Sequence, residues 1–255
     1  MPDEEGTDVV RASADLAATG DMKLIVAAWH WFSHDQALTA TSLSRRCAEL
    51  EISAANLTEE ERAGSSGENY RREHRACAIA SIVASVGFLE ASINELYASA
   101  GHENLAVGGG LGGLPPEQRD ALTDVGDLIS RNGLLDRFQL TLRLLHFPPF
   151  PRGEQPFQDA QTLVFLRNSL VHYKPKFRLV GSEDREERKT WQRLATKRRD
   201  ENPFTGPGNP FFPDRCLSHG YTSWAWEMAL TFCDDFFARI GVEPPYGPTR
   251  AEYGV

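Results

Sequence analysis

Apolar residues between Tyr70 and Ala98 fall at Ile79, Ile82, Val86, Leu89, Ile93 and Leu96. These spacings of three and four are the period of a helix that buries one stripe. Ala80, Ala84, Gly87, Ala91 and Ala98 form a row of small residues on an adjacent face, so this helix is expected to be central and contacted on two sides. Upstream, Val9 to Leu50 reads as one or two helices with Leu16, Leu24, Trp29, Phe32, Leu38 and Leu43 as core positions, and Ser65-Ser66-Gly67 reads as a connection. Downstream, a glycine-rich loop ends at Gly113, and Pro115-Pro116-Glu117 opens a helix that carries Leu122, Val125 and Ile129. A break at Gly133 precedes Leu135, Phe138, Leu142 and Leu145, which resume in a different phase.

A proline and aromatic connection from Phe147 to Phe157 leads to a helix from about Gln158 to Tyr173, which Pro175 ends. Another helix starts near Ser182 and closes at Lys197-Arg198-Arg199, basic residues that suit a helix C-terminus. The stretch from Asn202 to Pro213 holds four prolines with Phe204, Phe211 and Phe212, a loop that lies on the body or on a partner. The last helix, about Leu217 to Ile240, buries Trp224 or Ala225, Met228, Phe232 and Phe236. The expected class is all-α: a single-domain helical bundle with an N-terminal helical extension (1–66), a core (67–240), a short tail (241–255) and Pro/aromatic loops.

The longest uninterrupted apolar run, Leu24 to Trp29, falls far short of the roughly 20 residues of a transmembrane helix, so no membrane span is expected. The acidic start Met1-Pro2-Asp3-Glu4-Glu5 lacks the basic and apolar segments of a secretory signal, and the expected location is cytoplasmic. Cys47, Cys77, Cys216 and Cys233 are widely spaced and suggest packed thiols, with no zinc or redox motif. The run Gly108 to Gly113 satisfies Gly-x-Gly-x-x-Gly, but no strand precedes it and no helix opens at it, as a dinucleotide site requires. No cofactor is implied. The net charge of −9 disfavours indiscriminate nucleic-acid binding, yet residues 167–199 carry eleven Lys/Arg against four Asp/Glu, a local basic segment able to meet a phosphate backbone.

One charge stands out on the helix from Gln158 to Tyr173. Ala160, Leu163, Val164, Leu170 and Val171 share a face, and Arg167 projects into its middle, where a charge is costly unless paired. Glu90 and Asn94, one turn apart on the central helix, project inward near Val83 and Tyr97 and are the expected partners of Arg167. Such a pair either only fixes helix register or borders a cleft. Asn168 and His172, four residues apart, share the neighbouring face. Together the three offer a fixed phosphate-binding cation, an amide, and a side chain of the type that titrates near neutral pH, a workable set for phosphodiester chemistry.

Arg167, Asn168 and His172, with four residues between the Arg and the His, resemble the signature of HEPN-type ribonucleases: an Arg, a polar residue directly after it that is often Asn, and a His beyond four to six intervening residues. The helical architecture and an inward Glu on an earlier helix also fit that family, over about Tyr70 to Ile240. The resemblance implies metal-independent RNA cleavage, with His172 as general base or acid, Arg167 stabilising the phosphorane and Asn168 orienting the phosphate or the His. Glu90, Asn94 and Tyr173 are expected as supporting residues, and Lys174, Lys176 and Arg178 as RNA contacts. It also implies a homodimer that brings two motifs together and, for members that act as toxins or defence effectors, an antitoxin protein as partner. Two alternatives stand beside it. One is a non-catalytic HEPN-like module that binds RNA or a nucleotide, or serves as a scaffold. The other is a metalloprotein using His30 and His34 with Asp35 beside them, at positions whose neighbours Trp29, Trp31 and Phe32 favour packing.

Overall fold

The computed structural model describes residues 30–101, 111–173, 185–197, 199–206, 208–247 and 250–251. Among these, the extended regular elements are α-helices. They are α1 (Phe32–Ala55), α2 (Glu59–Ala63), α3 (Ser65–Ala100), α4 (Pro116–Ile129), α5 (Leu134–Leu144), α6 (Phe157–Val171), α7 (Arg185–Ala195) and α8 (His219–Ile240). The described residues from Phe32 onward belong to one compact unit, and the expected helical positions Leu16, Leu24 and Trp29 lie outside the described residues.

Helix α3 is central, as its stripe predicts: it packs against α1, α2, α4, α5, α6 and α8. Ile82, Val86, Leu89, Ile93 and Leu96 are buried, and Ile79 is partly so. The adjacent face also receives a helix, but not along the whole expected row. Ser81 Oγ donates to the Ala40 carbonyl of α1 at 2.8 Å and Gly87 lies against Gln36, while Ala80 and Ala98 are exposed. Helix α3 is long and apolar enough to cross a membrane by length and composition, and 67% of its apolar window is buried inside the fold. Serines, Gly87, Glu90 and Asn94 interrupt its apolar runs, so a search for unbroken hydrophobic stretches passes over it.

The helix begins at Ser65, not after a connection at Ser65-Ser66-Gly67. Gly67 is buried in the first turn, where a Cβ would stand 2.1 Å from the Arg62 carbonyl oxygen. This glycine permits close backbone approach and does not mark a loop. Just upstream, Thr58 and Glu61 form a reciprocal capping box that starts α2.

Helices α1, α3 and α8 are pinned together at one carboxylate. Glu51 Oε1 accepts from His74 Nε2 at 2.8 Å and from the His219 backbone N–H at 2.7 Å. His219 Nδ1 lies 3.0 Å from the Ser44 carbonyl, and Ser44 and Thr222 hydroxyls meet at 2.8 Å. Aromatic packing joins α3, α5 and α8: Phe88 meets Trp226 edge-on at 5.0 Å, and Phe138 meets Phe232 and Phe236 at 5.0 and 4.8 Å. Such pairs contribute ~0.5–1.5 kcal/mol each beyond the area they bury. Both Trp224 and Ala225 are buried, since α8 is enclosed over more than one stripe. It ends where Gly241 adopts φ 67°, a left-handed cap whose N–H returns to the last turn.

The Pro/Phe loop lies on the body. Phe204 packs on the buried His74 at 4.8 Å, Phe211 meets Tyr221 at 5.7 Å, and Phe212 stacks on Trp191 of α7 at 4.3 Å. Trp191 in turn packs edge-on against Phe165, so α7 is held to α6 through aromatic contacts.

Candidate functional site

Helix α6 starts after Pro156 and packs by Phe157, Ala160, Leu163 and Leu166, all buried. Burial then fades toward its C-terminus: Arg167, Ser169 and Leu170 are half-buried, and Val171, His172 and Tyr173 are exposed. The apolar face read from the sequence therefore holds at Ala160 and Leu163, weakens at Val164 and Leu170, and fails at Val171, because the helix end passes beyond its neighbours. His172 is the C-cap residue, and its backbone N–H donates to the Asn168 carbonyl at 2.9 Å.

Asn168 and His172 lie on one exposed face, one turn apart. Among the described residues, the side chains of Arg167, Asn168 and His172 make no hydrogen bond or ion pair. Arg167 is thus half-buried without the expected acidic partner. Tyr173 adjoins the motif and faces Phe212 at 6.3 Å. Lys174, Lys176 and Arg178 lie outside the described residues, as do residues 108–110 of the glycine run.

Glu90 and Asn94 serve a different arginine. Arg137 of α5 is 5% exposed and donates from Nη2 to Asn94 Oδ1. Burial lowers the pKa of its guanidinium, and the nearby Glu90 carboxylate opposes that shift. Tyr97 completes the cluster, its hydroxyl 2.5 Å from that of Thr141, whose Oγ1 also donates to the Arg137 carbonyl. Burial raises the Tyr97 phenol, with Thr141 and Arg137 pulling the other way. Glu90 and Asn94 are themselves exposed, so they cap a buried arginine from the rim. The expectation of an Arg167 pair is corrected on this point. Arg137 escapes notice in the sequence because it flanks the Leu135–Phe138–Leu142 stripe; its one available signal is Thr141, one turn further along the same edge.

Beside the motif runs an open groove of about 420 Å³ between the first turn of α5, the 145–156 connection, α6 and α7. Its floor is apolar, with Leu134, Leu135, Phe157, Val164 and Phe165. Its rim is polar, with Asp136, Arg152, Gln161, Asn168 and Arg193. Asn168 therefore belongs both to the motif and to the groove, and His172 follows one turn beyond on the same helical face. Arg152 pairs with Asp136 at 2.6 Å, both side chains more than half exposed. Among the described residues the Gln161, Asn168 and Arg193 side chains have no partner.

The basic segment divides by role. Lys197 pairs with the mostly buried Asp159 of α6, which also accepts from Gln155 at 3.0 Å. Arg199 pairs with Glu227 of α8 at 2.6 Å. These two cations hold α7 and the segment after it against the bundle, whereas Arg193 is exposed toward the groove. Arg152 and Gln161 are groove residues that sequence reasoning did not select, since one lies in a connection and the other on a polar helix face.

Among the described residues no three His, Cys, Asp or Glu side chains gather as a metal site, and His30, His34 and Asp35 form no such group. All four cysteines are buried as free thiols. No family model, curated protein or solved structure matches the chain.

Proposed function

We propose that the chain is a metal-independent endoribonuclease of HEPN type, with Arg167, Asn168 and His172 as its reacting set. The observation that carries this reading is that, among the described residues, Arg167, Asn168 and His172 have no side-chain partner at one accessible helix end, while Arg137 takes the structural role beside α3, hydrogen-bonded to Asn94 with the Glu90 charge nearby. A half-buried guanidinium without a carboxylate is available to a phosphate, which it can bind in bidentate fashion.

In the reaction a ribose 2′-oxygen attacks the adjacent phosphorus and the P–O5′ bond breaks, leaving a 2′,3′-cyclic phosphate and a 5′-hydroxyl. His172 takes the 2′-hydroxyl proton or supplies a proton to O5′, a role worth typically ~10²–10⁴-fold in rate. Arg167 balances the charge that develops on the phosphorane, and Asn168 donates its amide to a phosphate oxygen. One protomer contributes one such imidazole, so a homodimer supplies base and acid together. Exposed Val171 and Tyr173 beside the motif give the second copy an apolar surface. A toxin or defence role with an antitoxin partner belongs to the same proposal.

Cleavage of single-stranded RNA in excess EDTA tests the reading. Wild type is expected to cut, and His172→Ala, with its helical circular dichroism unchanged, is expected to lose at least ~100-fold. Equal rates for the two sink the proposal. A second reading, an RNA-binding module without cleavage, is favoured by the arginine-rimmed groove, which needs no imidazole. It predicts binding by both proteins and cutting by neither.

A further inference from the structure

We propose that the groove between α5, α6 and α7 seats the single-stranded RNA flanking the cleaved bond, with Arg152, Arg193 and Asn168 on its phosphates and its bases on the Leu134–Val164–Phe165 floor. This rests on the endoribonuclease reading and adds to it a substrate path and a preference for unpaired RNA.

A single strand presents flat apolar base faces on one side and a phosphate chain on the other. Proteins that hold it combine a cationic track with apolar or aromatic surface. The groove has both halves: an apolar floor and two arginines on its rim. Arg193 has no internal partner among the described residues. The Arg152–Asp136 pair is exposed, and such pairs are worth only ~0–1 kcal/mol, so a phosphate can displace Asp136 at small cost.

Direction and length follow from the helix. Gln161, Val164, Phe165 and Asn168 succeed one another along the outward face of α6, and His172 continues the line. At 1.5 Å per residue the lining from Gln161 to Asn168 spans about 10 Å, and a strand whose bases turn onto the floor is unstacked and extended, so the groove holds roughly two nucleotides. A strand laid along the groove therefore delivers its next phosphodiester to Asn168 and His172. A duplex would bury its base faces against each other and leave the floor uncovered. An acidic peptide satisfies the arginines but brings no flat surface for the floor.

The test uses the full chain carrying His172→Ala, which retains RNA uncut, and a short 5′-fluorescent single-stranded RNA followed by anisotropy over a range of salt. Adding Arg152→Ala and Arg193→Ala is expected to weaken binding at least ~10-fold and to lower the salt slope by about 1.4, at ~0.7 for each single-strand phosphate that no longer meets a cation. Charge reversal by Arg193→Glu alone is expected to weaken it further than Arg193→Ala. Both arginines are exposed, and the variants are expected to keep the wild-type helical circular dichroism. Unchanged affinity in the arginine variants overturns the groove assignment, and if His172→Ala still abolishes cleavage the endoribonuclease reading survives. Equal affinity for the duplex form of the same RNA, or binding of a polyglutamate peptide in place of RNA, also overturns the assignment. Absence of both RNA binding and cleavage overturns both readings.

Discussion

Arg137 on α5 and Asn94 on α3 are joined by a hydrogen bond from Nη2 to Oδ1, with Glu90 one turn earlier on α3 as the neighbouring countercharge. Removing water from a guanidinium costs several kcal/mol unless acceptors replace it. Arg137 therefore holds the Asn94 amide oxygen, with the Glu90 charge nearby, on the stretch of α3 expected to serve Arg167. Two arginines on neighbouring helices thereby differ: Arg137 closes a helix interface, and Arg167 has no side-chain partner among the described residues.

Their stabilities should separate them. Asn94→Ala leaves Arg137 short of an acceptor, and the midpoint of urea unfolding is expected to fall by the equivalent of ~1–3 kcal/mol. Arg137→Ala is expected to cost at least as much, through lost packing and an emptied site. Arg167→Ala is expected to change the midpoint by less than ~1 kcal/mol, the range of substitutions outside paired or packed positions. A drop of ~3 kcal/mol for Arg167→Ala, the size seen when a paired buried charge is broken, would return that residue to a structural role.

In the proposed reaction Arg167 supplies more than charge. Arg167→Lys keeps the charge and loses the planar fork that grips two phosphate oxygens. Its cleavage rate is expected between those of wild type and Arg167→Ala, on the order of 10-fold below wild type. Single-turnover rates at saturating protein measure this, and a Lys variant as fast as wild type argues against bidentate contact.

The joint between α2 and α3 tolerates no side chain at Gly67. Gly67→Ala places a methyl 2.1 Å from the Arg62 carbonyl oxygen, so backbone must move. The expected cost is ~1–3 kcal/mol, even though alanine is the better helix former. Thermal unfolding followed by circular dichroism reads the sign, and a stabilised variant contradicts the close approach.

The cysteines are expected to be chemically silent in the folded protein. Burial pushes the thiols of Cys47, Cys77, Cys216 and Cys233 up from their ordinary value, which suppresses the nucleophilic thiolate. A chromogenic disulfide reagent at about pH 8 should find no thiol within minutes in the native state and all four cysteines in denaturant.

Alkaline pH should unfold the protein through its buried phenols. Burial pushes Tyr221 up to about 12, and Tyr246 moves in the same direction. A folded-state value above the unfolded one means the unfolded chain loses its proton first. Stability is therefore fully present below about pH 10 and is lost as pH rises through about 12. Urea midpoints measured across that window should fall less steeply for Tyr221→Phe than for wild type, and equal slopes argue against this source.

Periodicity makes α3, α5 and α8 legible because each buries a stripe whose spacing survives in the sequence. The phase change at Gly133 is the boundary between α4 and α5. Gly67 misleads because a glycine required by close approach and one required by a turn look the same in a sequence. At the site, the four-residue spacing of Asn168 and His172 carries over directly, since neighbours on a helix remain neighbours in the fold. The arginine beside Asn94 and Glu90 does not, because which of two arginines lies there depends on how α5 and α6 sit against α3. The groove is hidden for the same reason: α5, α6, α7 and a connection each contribute only a few of its residues.

The outward face of α6 has one more consequence. Gln161, Asn168 and His172 hold up no neighbouring element among the described residues, so replacing them leaves the bundle essentially as stable as before. Selection for folding alone is blind to these positions and would let them drift among related chains. Their variation or persistence in a lineage would therefore measure demand for the site itself, separately from demand for the scaffold that carries it.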